Sequence, residues 1–217
     1  EYGAIIDVKS PDGITTEEIL GKNEILDLEG LGVGGVSGGV GEMSESEVIS
    51  ILRNAGSEYS NCIQYADVVV DVAGKYGIDP LLIFAIIQQE STCGTAPNTY
   101  SGSGVGLMQI EYATHCKQEI REYLKYGFSS YQECVDTLKD PSKFEKNIDV
   151  GTQILKGYYD SHKNGVPFNG CSNRRITYTE WEAALRAYNG LLCHEGQDYY
   201  VEEVMEKYDD LSQGKIY

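Results

Sequence analysis

The run Leu81-Leu82-Ile83-Phe84-Ala85-Ile86-Ile87 constrains this chain more than any other stretch, because it is apolar on every side. Wound as a helix it has no polar stripe, and a helix without one has to be buried. Asp79 is a good N-cap, and Pro80 suits the first helical position, where its missing N–H costs nothing. A central strand is the competing reading of such a run, but the Asp-Pro start and the length favour a helix. At about a dozen residues it is too short to span a bilayer, which takes roughly twenty. Gln88, Gln89, Glu90 and Ser91 close the run, and Thr92-Cys93-Gly94 stop it. The sequence therefore carries a carboxylate, Glu90, at the C-terminal end of a buried helix. Desolvation and the negative end of the helix dipole both disfavour its charged form. A carboxylic acid still protonated near neutral pH can protonate a leaving group. The alternative is a Glu90 that lies at a solvated helix end.

With 217 residues and 41% apolar content, the chain is long enough for one full domain and an appendage. Its net charge of −17 excludes nucleic-acid binding, which needs clustered Lys and Arg. It also excludes a polybasic membrane contact. No membrane segment or signal peptide is visible, and a start at Glu1 suggests a processed protein or a piece of a longer one. The six cysteines, Cys62, Cys93, Cys116, Cys134, Cys171 and Cys193, are widely spaced and form no close pair. Zinc sites need such pairs, so no metal site is expected. Disulfides formed in an oxidising compartment are the preferred reading, with buried free thiols the alternative. No cofactor is implied.

The chain divides near residue 44. In residues 1–43, Ala4 to Val8 forms a short apolar run, Ser10-Pro11-Asp12-Gly13 is a turn signal, and Thr15 with Glu18 makes a possible capping box. Gly30 to Gly41 reads GLGVGGVSGGVG, a flexible linker; no Lys-Ser or Lys-Thr follows it, so it is a poor nucleotide loop. Residues 44–217 form the domain proper. Ser44 and Glu47 make a capping box, and Cys62 to Tyr76 has helical spacing ended by Gly77. Thr95 to Gly106 is a loop rich in small residues. Helices follow at His115 to Leu124 and Tyr131 to Leu138. Another is capped by Ser142 and Glu145, another by Thr177 and Glu180, and a last one spans about Asp198 to Tyr208. No strand pattern stands out, so the expected fold is all-α.

The loop Ser101-Gly102-Ser103-Gly104-Val105-Gly106 leads into Leu107-Met108-Gln109-Ile110. Glu90-Ser91, a Gly/Ser loop and GLMQI in this order resemble the lysozyme-like fold of soluble lytic transglycosylases and goose-type lysozymes. Two later segments agree. Asp140-Pro141 through Asn147-Ile148 and Gly151 resembles the family's NP…NI…G helix, and Ala184 to Gly190, reading ALRAYNG, resembles its ALAAYNGG motif. The resemblance covers about Ile78 to Tyr200 and leaves residues 1–43 outside. It implies cleavage of the β-1,4 bond between N-acetylmuramic acid and N-acetylglucosamine in peptidoglycan glycan strands, outside the cytoplasm, with no membrane insertion. Glu90 matches the catalytic acid. Ser91 follows it, and Ser101, or alternatively Ser103, matches a loop serine that holds the muramyl sugar. Met108 and Gln109 match residues lining the cleft. Tyr188 matches a tyrosine that approaches the acid, with Asn189 beside it. Tyr199 or Tyr200 would add an aromatic wall for sugar stacking.

Several readings compete. A lytic transglycosylase needs one carboxyl group, since the muramyl 6-hydroxyl attacks internally and leaves a 1,6-anhydro end. A hydrolase of the goose type usually needs a second carboxylate. Glu111 stands where goose-type lysozymes carry an aspartate, and an inverting geometry would require it roughly 6.5–9.5 Å from Glu90. It could equally serve only the N-terminus of the next helix. Thr95 to Gly106 contains no Asp or Glu to match a further acid of the goose-type loop, which favours the transglycosylase. A non-catalytic wall-binding or virion module and another glycosidase, such as a chitinase, are the other classes. Residues 1–43 are expected to dock the domain to an unidentified partner. A chain beginning at Ser44 should therefore fold and keep its activity on soluble glycan fragments. A folded truncation without activity would contradict this division.

Overall fold

The computed structural model describes residues 43–169, 175–191 and 198–214. The extension through residue 42, Cys171 and Cys193 lie outside the described residues. The architecture is helical, as expected, with two small hairpins added. Helix α1 (Glu45–Asn54) begins in the anticipated capping box, with the Ser44 hydroxyl accepting from the Glu47 N–H and the Glu47 side chain accepting from the Ser44 N–H. After a short 3₁₀ turn at Ile63–Tyr65, α2 (Ala66–Tyr76) runs to Gly77, whose φ of +65° provides the left-handed stop.

Helix α3 (Pro80–Ser91) is the apolar run. The Asp79 carboxylate accepts from the Leu81 N–H at 2.8 Å, and every residue from Pro80 to Ile87 is buried. At about 1.5–3 kcal/mol for each large side chain taken out of water, this helix is a main source of the core's stability. The chain then forms a hairpin, β1 (Gly104–Val105) against β2 (Ile110–Glu111), with Gly104 opposite Glu111. The helix expected over His115 to Leu124 is two helices, α4 (Tyr112–His115) and α5 (Gln118–Leu124), with Cys116 between them. Cys116 is bonded to Cys134 on α6 (Tyr131–Lys139).

The long helix α7 (Phe144–His162) packs on α2 and on α8 (Glu180–Asn189). Its entry differs from the expected capping box. Asp140, not Ser142, is the cap: its carboxylate accepts from both the N–H and the hydroxyl of Ser142, and Pro141–Lys143 is a 3₁₀ turn. A second hairpin follows, β3 (Val166–Asn169) against β4 (Arg175–Tyr178). Thr177 is thus a strand residue opposite Pro167, and Thr179 is the residue before α8 (Glu180–Asn189). Both strands were hidden in the sequence because short hairpins without an alternating apolar face carry little periodic signal.

The last helix, α9 (Tyr200–Gln213), lies along α3. Hydrogen bonds tie the two helices at both ends. The Tyr208 hydroxyl donates to the Asp79 carboxylate at 2.9 Å, Gln89 donates to Glu203 at 2.7 Å, and the Tyr200 hydroxyl donates to Glu90 at 2.5 Å. Among the described residues no helix is long and apolar enough to cross a membrane.

Candidate active site

Glu90 stands one residue from the end of α3, where the dry part of the helix gives way to Gln88 and Gln89. The side chain keeps partial exposure to solvent, yet the protein crowds its carboxyl. Burial pushes its pKa up to about 7, and the hydrogen bond from Tyr200 opposes that rise. A carboxyl so placed is protonated below neutrality and holds a proton where a ligand can meet it.

Two tyrosines frame the acid. Tyr200 is 2% exposed and donates to Glu90 Oε1 at 2.5 Å. Tyr188, on the last turn of α8, donates to the Met108 carbonyl at 2.6 Å. Burial first and the Glu90 charge second hold both phenols well above their usual pKa, so they remain donors. Behind them Arg186, 1% exposed, donates from Nε to the Gly190 carbonyl at 2.6 Å and from its Nη2 to the same oxygen. The guanidinium thereby satisfies a carbonyl at the end of α8 that no helical N–H reaches.

Through its bond to Met108, Tyr188 reaches the loop from Thr95 to Gln109, and Asn147 holds that loop. This buried amide accepts from the Met108 N–H at 3.0 Å and donates to the Val105 carbonyl at 2.9 Å. Gly106 lies against it with φ +78°, and a Cβ there would sit 1.9 Å from Asn147 Nδ2. One turn along α7, a Cβ on Gly151 would meet Met108 Sδ at 2.6 Å. The spacing Asn147…Gly151 on one helix face therefore seats the Gly106–Met108 segment. Gln109 has φ +46°, uncommon for a residue with a Cβ. Its carboxamide donates to the Thr99 and Gly106 carbonyls at 2.9 and 2.8 Å, closing the loop from inside.

The residues singled out in the sequence fall into two groups. Ser101 and Ser103 are exposed at the loop tip, Tyr199 is 57% exposed beside the acid's partner, and Asn189 is half-buried at the end of α8. The rest form scaffold. Ser91 is fully buried; its hydroxyl donates to the Ile87 carbonyl and accepts from the Gly94 N–H, so it shapes the helix end and is corrected from a sugar contact to a structural residue. The Met108 side chain is fully buried on Gly151, and its carbonyl accepts from Tyr188. Tyr200 offers no open ring face for stacking and instead orients Glu90. Glu111 is exposed and accepts from the Thr114 hydroxyl at 2.8 Å, directly before α4.

Sequence reasoning missed Asn147 as the loop clamp, although its motif was visible, and missed Tyr200 as the acid's partner. The disulfide Cys62–Cys93 lies at the same helix end. Among the described residues no cysteine is free, and no group of three or more His, Cys, Asp or Glu could hold a metal ion.

The family model described as "Transglycosylase SLT domain" matches residues 67–202. The chain is 34% identical over 128 residues to a membrane-bound lytic murein transglycosylase C of Edwardsiella ictaluri, covering 58% of this chain and 31% of the relative. The proteins of the same name from Serratia proteamaculans and Yersinia enterocolitica are 34% and 33% identical over the same length and with the same coverage. The chain therefore spans about a third of the length of these relatives. No solved structure gives a significant match.

Because the Tyr200 hydrogen bond favours the charged form, Tyr200→Phe should move the Glu90 midpoint above about 7. Side-chain ¹³C NMR of glutamate-labelled protein, with Glu90 assigned by its loss in Glu90→Gln, reads this directly. An unmoved or lowered midpoint would show that the hydroxyl does not act on the acid.

Proposed function

We propose that this chain, which belongs to the transglycosylase SLT domain family, cleaves the β-1,4 bond between N-acetylmuramic acid and N-acetylglucosamine in peptidoglycan as a lytic transglycosylase. The observation that carries this reading is one carboxyl, Glu90, raised to about 7 by burial and gripped by Tyr200 at 2.5 Å. Glu90 protonates the glycosidic oxygen as the bond from C1 to that oxygen breaks. The resulting carboxylate then takes the proton of the muramyl 6-hydroxyl while that oxygen bonds to C1, and the acid returns to its starting form. No external water enters the balance, so one carboxyl serves both steps.

Glu111 supports the hydrolytic alternative only by its position in the sequence. In the structure it is a solvated residue that accepts from Thr114, as a residue serving the start of α4 would. A goose-type lysozyme and a non-catalytic wall-binding module remain the readings to be tested against. Ser101, Ser103, Asn189 and Tyr199 keep solvent exposure and would meet the glycan, with Gln109 shaping the loop that carries the serines. Two disulfides among the described residues and relatives named as membrane-bound murein enzymes support an extracytoplasmic location. Residues 1–43 would dock the domain to a partner.

Glu90→Gln should lower turnover by about 10³-fold, within the range of lost general acid catalysis, while leaving circular dichroism unchanged. Mass spectrometry of muropeptides released by the unaltered protein should show 1,6-anhydromuramyl ends. Reducing muramyl ends that disappear in Glu111→Gln would establish a lysozyme instead.

A further inference from the structure

The three residues after the acid's helix form an unusual turn. Thr92 and Cys93 both have left-handed backbones, φ +50° and +53°, and Gly94 follows at +81°. Side chains with a Cβ rarely adopt two such conformations in succession. The turn is nevertheless tightly placed. The Thr92 and Cys93 N–H groups donate back to the carbonyls of Gln88 and Ile87, and the Gly94 N–H donates to the Ser91 hydroxyl. A Cβ on Gly94 would lie 2.9 Å from Leu107 and 3.0 Å from the Tyr65 hydroxyl, so the turn is wedged between the loop segment that reaches Met108 and the 3₁₀ turn at Ile63–Tyr65. Cys93 is bonded there to Cys62, and both are buried, at 1% and 0% exposure. The bond thus fixes this turn from the side opposite the loop.

We propose that the Cys62–Cys93 disulfide is a positioning device for Glu90: it holds the strained Thr92–Gly94 turn and so keeps the last turn of α3, with its carboxyl, seated against Tyr200. The Cys116–Cys134 bond, which joins the α4–α5 junction to α6, serves only the stability of the fold. The inference rests on the reading of Glu90 as the acid. Among the described residues, the groups that face Glu90 are Tyr200 from α9 and Tyr188 from α8, with Arg186 acting on Tyr200 and Glu203 held by the adjacent Gln89. Nothing in Thr92–Gly94 titrates. Loosening that turn can therefore reach Glu90 only through its hydration and its alignment with these partners.

The test compares Cys62→Ala/Cys93→Ala with Cys116→Ala/Cys134→Ala by ¹³C titration of Glu90 and by turnover on purified peptidoglycan. The first pair should lower the Glu90 midpoint by about one pH unit or more, toward the ordinary carboxyl range. Its kcat should fall about tenfold with KM nearly unchanged. The second pair should leave the midpoint and kcat in place although it melts earlier. Equal shifts in both pairs, or no shift in the first, would overturn the proposal. If the unaltered protein cleaves no glycan, the functional reading fails, and the two midpoints still decide this inference. Cys62→Val/Cys93→Ala refills the volume if the alanine pair does not fold. Failure of both to fold, while the second pair folds, would place the bond in the fold alone and overturn the proposal.

Discussion

The contact on which the rest depends is the packing of α9 along α3. A helix apolar on all sides has to be covered, and α9 covers it with side chains that also form hydrogen bonds. Tyr208 meets the N-cap Asp79, Glu203 meets Gln89, and Tyr200 meets Glu90. The same burial that stabilises the core desolvates the carboxyl at its edge. A carboxyl held protonated toward neutrality is thus a by-product of where the dry helix stops. Moving Glu90 one turn earlier would bury it without access to a ligand; moving it later would leave it an ordinary solvated carboxylate.

The second constraint is the steric fit of α7 against the loop that Tyr188 reaches. Asn147 supplies both a donor and an acceptor to buried backbone groups of the loop, where a polar group left without its partner costs about 1–3 kcal/mol. Gly106 and Gly151 leave the room that this approach requires. Tyr188 closes the circuit by donating to Met108 from the far side. The segments spaced along the sequence are therefore one assembly: Glu90, the helix whose Tyr188 senses its charge and pins the loop, and the helix that holds the loop.

The buried helix, its Asp79 cap, the acid at its end and the helical class were legible because each leaves a local mark in the chain. Apolar periodicity reports burial, and Asp-Pro reports a helix start. The Ser142 and Thr177 caps were misread because Asp140 and a β-hairpin offered the same residues better partners. Roles that depend on direction were not legible. Tyr199 and Tyr200 are neighbours, yet one is 57% exposed and the other 2%, a difference set by which face α9 turns to α3. Ser91 follows the acid directly, and its hydroxyl is spent on the helix end. Pairing of cysteines far apart in the chain is likewise a property of the fold.

The folded structure disfavours the charge on Glu90. Burial raises the folded-state pKa from 4.5 to about 7. The protonated acid therefore suits the fold fully below about 4.5, and stability is lost as the pH rises from there through about 7. From the shift, the loss is roughly 3 kcal/mol above that window. Unfolding free energies of the unaltered protein and of Glu90→Gln, measured by urea between pH 4 and 8, isolate this contribution, since glutamine stays neutral throughout. Glu90→Gln should gain stability relative to the unaltered protein across this range, reaching roughly 3 kcal/mol near pH 8. A difference that does not change with pH would contradict it.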